Sequence, residues 1–248
     1  MKVIFHEDFY AVYADDPAAA RGRLEAIMEV IRPHVTIVEA VPASEEQIAA
    51  VHRATHIDWV KRLGLYDIAA LAAGGAIQAA NLGIDEPCFA LVRPPGHHAS
   101  PASAWGFCYF SNMAIAIKHL LGKGAIGRAH VLDFDLHFGD GTVNALESTP
   151  NVTVHNPDAH DRERYLQEVA DELERCEADV IGVSAGFDNH QEDWGGTMLT
   201  EDYREMGRMA REAAAKRGAG CFAVLEGGYN HAVLGRNTLA LIEGLSIG

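Results

Sequence analysis

The sequence predicts a single-domain, three-layer α/β/α fold built on a mostly parallel sheet. Two patterns predict it. Short apolar runs alternate with segments of helical period along the chain, which places helices on both faces of a parallel sheet. Four successive apolar runs also end in polar or glycine-rich loops carrying histidines, acids or a tyrosine. In open α/β sheets, ligands bind beyond the carboxyl ends of the strands, so these loops are expected to meet in one crevice. A chain of 248 residues, 48% of them hydrophobic, suffices for one large core, and residues 1–248 are read as one domain.

The elements follow in order. Residues 3–5, Val-Ile-Phe, are the first expected strand. A helix is expected over 17–32, opened by Pro17, with Leu24, Ile27, Met28 and Ile31 at three- and four-residue steps. A strand follows over 35–41. Ser44 and Gln47 form a capping box ahead of Ile48 and Val51, which starts a short helix. Residues 66–82 are Ala-rich and helical. Gly74 and Gly75 are unfavourable there, and close packing against a neighbour is the expected reason. Residues 88–92 form a buried strand running into Arg93-Pro-Pro-Gly-His-His98, a loop no helix continues through. Beyond it the pattern gives a helix over 112–121 and strands over 129–136 and 151–154. A charged helix over 161–175, a strand over 180–184 and a helix from Thr200 to about 217 come next. A strand over 221–225 and a C-terminal helix close the chain. No internal repeat, low-complexity tract or linker interrupts it.

Composition removes several function classes. The formal net charge of -15 opposes nonspecific DNA or RNA binding, which depends on cations meeting phosphates, and is compatible with cationic substrates. No window holds enough uninterrupted apolar residues to span a membrane, and the first residues carry no signal-peptide pattern. Cys88, Cys108, Cys176 and Cys221 are scattered without a Cys-x-x-Cys pair, so they are read as buried thiols of a reducing, cytoplasmic setting.

The run Val131-Leu-Asp-Phe-Asp-Leu-His137, followed by Phe138-Gly-Asp-Gly141, starts apolar and ends in acids and a histidine. Strand side chains alternate, so Asp133, Asp135 and His137 are expected on one face. A hydrolytic metal site needs about three protein ligands and an open position. Asp135, His137 and Asp188 can supply them, two carboxylates and one neutral imidazole balancing a divalent charge. Such a metal acidifies water and polarises a carbonyl. His97 and His98 can take and return a proton near neutral pH, with Asp133 and Asp140 left to orient them. Tyr229 can donate to a developing oxyanion, and Gly227-Gly228 lets the backbone approach closely beside it.

Five blocks carry a resemblance: Arg93-Pro-Pro-Gly-His-His-Ala99, Gly106-Phe-Cys-Tyr-Phe110, Leu132-Asp-Phe-Asp-Leu-His137 with Gly139-Asp-Gly141, Ser184-Ala-Gly-Phe-Asp188 and Glu226-Gly-Gly-Tyr-Asn230. In this order they resemble the signature of the histone deacetylase superfamily, which includes acetylpolyamine amidohydrolases and acetoin-utilisation proteins and has an arginase-like α/β fold. Weaker similarity extends through Gly22-Arg-Leu-Glu-Ala26 and Val51-His52. The resemblance implies zinc on Asp135, His137 and Asp188, with Fe(II) or Co(II) also compatible. It implies His98 as general base, Asp140 as partner of His98, Asp133 as partner of His97, and Tyr229 as the transition-state tyrosine. Phe107 falls on an aromatic wall of the acyl-lysine channel, and Gly106 and Gly227 belong to the same channel. A structural potassium ion would take Asp133, Asp135 and the His137 carbonyl, with residues near His155.

Three positions depart from the family pattern. Phe138 replaces a polar residue, His155 stands where a serine is usual, and Asp193-Trp-Gly-Gly196 lacks a proline. Trp194 is then expected either to line the entrance or to pack on its loop. Between Val60 and Gly74 there is little room for a long rim loop, which implies a trimmed scaffold with a shallower or wider pocket.

The implied activity is metal-dependent hydrolysis of an acetyl or short acyl group from an amine: acetyl-lysine, an acetylpolyamine or a small metabolite. Two rivals stand beside it. A ureohydrolase bridges two Mn ions and needs a second carboxylate spaced closely after Asp188, in a Ser-x-Asp-x-Asp pattern that is absent. A non-catalytic acyl-amine sensor would keep the pocket and lose a ligand or the tyrosine, and all of them are present. Oligomeric state is left open.

Overall fold

The computed structural model describes residues 1–247. β1 (Lys2–Phe5), α1 (Arg23–Ile31), β2 (Thr36–Glu39), α2 (Glu45–Ala49), α3 (Ala54–Arg62), α4 (Tyr66–Gly83) and β3 (Cys88–Ala90) form the first part. A short antiparallel hairpin, β4 (Ala99–Ser100) and β5 (Ser103–Ala104), leads into α5 (Asn112–Gly122). Strand and helix then alternate through β6 (Ala129–Asp133), α6 (Asp140–Leu146), β7 (Val152–His155), α7 (Arg162–Arg175), β8 (Val180–Ala185), α8 (Thr200–Arg217), β9 (Gly220–Leu225) and α9 (His231–Leu245).

Seven strands form one sheet in the order β2-β1-β3-β9-β8-β6-β7, and each neighbouring pair is parallel. β9 pairs with β3 on one side and β8 on the other, so it joins the two halves of the sheet. β3, β6, β8 and β9 are buried at every residue, whereas the edge strands β2 and β7 are partly exposed. This is how a parallel sheet covered on both faces reads in sequence, as near-continuous apolar runs in its middle strands. One cover is α4 with α5; the other is α1, α9, α8 and α7, packed in that succession. Ile48, Ile57, Val60, Ile77 and Phe110 build a smaller apolar cluster that fastens α2 and α3 to α4.

The expected elements are present with local differences. α1 begins at Arg23, and Pro17 does not open it. Residues 17–23 instead make three-residue turns, Ala20 N–H to the Pro17 carbonyl and Arg23 N–H to the Ala20 carbonyl, while the carbonyls of Ala18 and Ala20 also accept from the buried Arg93 guanidinium at 3.2 and 2.9 Å. β6 stops at Asp133 instead of reaching residue 136. The Asp135 carboxylate accepts from the His137 N–H at 2.9 Å and turns the chain out of the strand. α3, α6 and the hairpin are additional to the expected elements. α3 offers few apolar signals because His56 shares its buried face with Ile57 and Val60, and α6 opens on Asp140-Gly141, which reads as a break. The close packing expected at Gly74 is made by the loop after β2, because a Cβ there would collide with the Val41 carbonyl.

Candidate functional site

The strands that carry the chemistry-bearing loops, β3, β9, β8 and β6, are consecutive neighbours at the centre of the sheet. Their carboxyl ends therefore bring residues from 97 to 229 into one place. Asp135 and His137 lie on the turn after β6 and Asp188 on the loop after β8.

His137 Nδ1 lies 3.3 Å from Asp135 Oδ1 and 3.1 Å from Asp188 Oδ2. One ligand-capable atom from each of the three residues falls within 4.8 Å of the other two. Both carboxylates are almost wholly buried, at 5% and 0% exposed, and backbone N–H groups hold their remaining oxygens. Gly227 N donates to Asp135 Oδ2 at 2.8 Å and Leu136 N to Asp188 Oδ1 at 3.1 Å. Burial pushes Asp188 up to about 6, and the charge of Asp135 adds to it. Asp135 falls below the usual carboxylate range: its burial opposes this, but the charge of His97 and hydrogen bonds from His137 and Gly227 outweigh it. Hydrogen bonds to Asp135 and then Asp188 push His137 up to about 10. Two buried carboxylates thus converge on one imidazole nitrogen, a donor set and net charge that fit a divalent cation.

Beside this group the histidine pair divides. His97 Nδ1 is 3.3 Å from Asp133 Oδ2, and its Nε2 is 3.8 Å from Asp135 Oδ1. His98 Nδ1 is 2.7 Å from Asp140 Oδ1. A carboxylate only accepts, so each Nδ1 carries the hydrogen. Asp140 is the first residue of α6, and the Thr142 N–H of that turn donates to the His97 carbonyl at 3.0 Å, tying the helix start to the histidine loop.

Tyr229 is half-buried and its phenol is pushed far above its ordinary range, by burial first and then by the charge of Asp135. It therefore stays protonated and able to donate. Phe107 meets its ring edge-on at 5.9 Å, and Trp194 stacks on it at 4.1 Å. Trp194 also stands 6.0 Å from the His137 ring, so its place is beside the candidate metal ligands. Gly106 (φ +58°) is left-handed, and a Cβ there would overlap the His98 ring. A cavity of about 260 Å³ opens alongside, lined by Asp135, Leu136, Phe138, Asn156, Asn189 and Gly195 among others.

His155 lies elsewhere. Strand alternation turns its imidazole toward α7, 3.3 Å from Glu168, and it is Asn156 that accepts from Gly139 N at 2.8 Å. Other contributors had no role in the sequence reading. Glu226 Oε2 accepts from the N–H groups of Gly96 and His97 at 2.7 and 3.1 Å, which shapes the histidine loop. Its side chain, with His97 and Cys108, forms a second buried group of ligand-capable atoms within 4.8 Å of one another. Burial pushes Glu226 up to about 7. Arg23 donates to the carbonyls of Gly228 and Glu226 at 2.8 and 2.6 Å and holds its guanidinium 5.5 Å from the Tyr229 ring centroid. Asp193 Oδ2 accepts from the N–H groups of Tyr229 and Asn230, both at 2.8 Å. Only the position of Glu226, Arg23 and Asp193 within the quoted blocks signalled them. Trp105 had no signal at all.

Comparison with known proteins agrees with this architecture. The chain superimposes on the crystal structure of the HDA15 HD domain with a TM-score of 0.87, over 99% of this chain and 89% of that one, at 22% identity. It is 31% identical to a probable deacetylase of Archaeoglobus fulgidus over 92% of this chain and 81% of that protein. A histone deacetylase-like amidohydrolase of Pseudomonas aeruginosa is 30% identical over 95% of this chain and 77% of its own length. The histone deacetylase domain is matched over residues 63–166 and 154–245, and with those relatives it places the chain in the histone deacetylase family.

Proposed function

We propose that residues 1–248 form one catalytic domain, a metal-dependent amidohydrolase that removes an acetyl or short acyl group from an amine. The supporting observation is a single arrangement: two buried carboxylates on His137 Nδ1, at 3.3 and 3.1 Å, beside a histidine backed by its own carboxylate at 2.7 Å. Family membership supports the same reaction class.

Asp135, His137 and Asp188 would hold the cation, with zinc the first choice for two oxygens and one imidazole and Fe(II) or Co(II) compatible. The cation would supply an acidified water and a polarised amide carbonyl. His98 is pushed down to about 4, by burial first and then by the charge of His97. It is therefore neutral, with Nδ1–H on Asp140 and Nε2 free to take a proton from the attacking water and return it to the departing amine. Tyr229 donates its phenol hydrogen bond to the carbonyl oxygen as negative charge develops there. Phe107 and Trp194 flank that phenol and fix the plane of its ring.

The acylated amine is the proposed ligand class, and the acidic chain suits substrates that carry further ammonium groups. Among the described residues no helix is long and apolar enough to cross a membrane. The four cysteines are free and buried, which supports a reducing cytoplasmic setting. A panel of acetyl-lysine peptides, acetylpolyamines and longer acyl amines, run on zinc-loaded protein with and without chelator, tests the reading. Chelator-sensitive release of the free amine is expected. Inactivity on the whole panel would leave a binding or sensing protein.

A further inference from the structure

The hairpin of β4 and β5 folds the chain back so that Trp105 lies over His98. The two rings stack with centroids 3.7 Å apart and planes 28° apart. The indole Nε1–H donates to both oxygens of Asp140, at 3.1 and 2.9 Å. That same carboxylate accepts from His98 Nδ1 at 2.7 Å. One side chain therefore touches both members of the His98–Asp140 pair.

A tight turn makes the placement possible. Gly106 and Phe107 both have positive φ, +58° and 68°, and the Cys108 N–H closes on the Trp105 carbonyl at 3.1 Å. The turn sends Trp105 to His98 and Phe107 to Tyr229. Core packing does not explain Trp105, which is 54% exposed. Nor is it a free aromatic at the rim, because one face and its only polar atom are already engaged.

We propose that Trp105 is a positioning residue for the proton transfer assigned to His98, and the proposal rests on that assignment. Asp140 is 36% exposed, so water and rotation compete for its oxygens. The indole N–H occupies the side of the carboxylate that the imidazole leaves open, and the indole face fixes the imidazole plane. Nδ1 then keeps its proton, and Nε2 is the nitrogen that exchanges one.

Trp105→Phe keeps an aromatic face and loses the N–H; Trp105→Ala loses both. On zinc-loaded protein, kcat should fall about tenfold in W105F and further in W105A, within the usual range for residues that orient a catalytic group. KM should stay within about twofold, and thermal midpoint and metal content should not change. Because the effect runs through Asp140, adding W105F to Asp140→Asn should cost little more than Asp140→Asn alone. A raised KM with kcat intact, or fully additive losses, would make Trp105 a pocket wall and overturn the proposal. An activity-independent arm uses the downfield imidazole N–H proton resonance, assigned to His98 by its loss in His98→Gln. W105F should exchange that proton with water about tenfold faster. An unchanged rate overturns the proposal. A wild type inactive on every acylated amine would count against the proposed function, and the resonance would still decide whether Trp105 holds the pair.

Discussion

His97 and His98 are adjacent in the chain with ring centroids 3.9 Å apart, yet their surroundings drive them to opposite charge states. Burial opposes charge on His97, but the carboxylates of Asp135 and Asp133 outweigh it and hold it well above the ordinary imidazole range. His98 goes the other way, pushed down by burial and by the charge of His97 itself. The first imidazole thereby helps keep the second one neutral, with Nε2 unprotonated and open to a proton. The divergence leaves His98 as the member of the pair that can accept a proton, and His97 as the charge beside it.

His98→Ala should therefore lower kcat by about 10² to 10⁴, the usual range for a positioned acid–base group, while leaving metal content intact. Steady-state kinetics with parallel metal analysis checks this. Turnover close to wild type would remove His98 from the mechanism.

Tyr229→Phe keeps the ring that Phe107 and Trp194 pack against and removes only the phenol hydroxyl. The expected loss is about 10² to 10³ in kcat, as for one oxyanion donor, with KM nearly unchanged. A rise in KM at constant kcat would instead make Tyr229 a binding residue.

Cation binding should be visible without any substrate. Zinc present at 100 times its dissociation constant should stabilise the fold by about 2.7 kcal/mol, because the ligand set exists only in the folded chain. Asp188→Asn should abolish that increment. Equal thermal midpoints for wild-type protein with zinc and with chelator would speak against a cation at Asp135, His137 and Asp188.

Acid stability should depend on two histidines remote from that site. Burial pushes His52 down to about 3 and His130 down to about 4. His52 Nε2 accepts from the Ser111 N–H at 2.9 Å, which requires the neutral ring. Unfolded chains protonate such residues near pH 6.5, and the folded chain does not until pH 3 to 4. Their contribution is thus complete above about pH 6.5 and is lost as pH falls toward the folded values, by up to about 1.4 kcal/mol per pH unit for each histidine. Urea midpoints between pH 7.5 and 5 measure the slope, and His130→Gln should flatten it. An identical slope in that variant would exclude His130 as a contributor.

Sequence period and composition reveal the architecture because the middle strands are buried on both faces and read as unbroken apolar runs. Polar residues at the ends of such runs reveal the candidate ligands. Boundaries are harder to read where tertiary contacts set them. Arg93 anchors the carbonyls of Ala18 and Ala20 in the turns that precede α1, and the Asp135 carboxylate ends β6 three residues early. At the end of β7, strand alternation turns the His155 imidazole toward Glu168 and leaves Asn156 to accept from Gly139 N, a detail that block spacing does not show. Trp105 is illegible because a two-residue left-handed turn and a six-residue hairpin place it, and neither has a periodic signature.

β9 has a consequence for the order in which the molecule can be made. It is the last strand of this sheet in chain order, yet it lies between β3 and β8. Until Gly220–Leu225 emerges, β9 cannot join β2-β1-β3 to β8-β6-β7, and β3 and β8 each present a largely apolar open edge. Such edges are templates for mispairing. Nascent chains halted before residue 220 should accordingly be the species that associates with chaperones or aggregates, and release of the final strand should be the step that knits the sheet and assembles the site together.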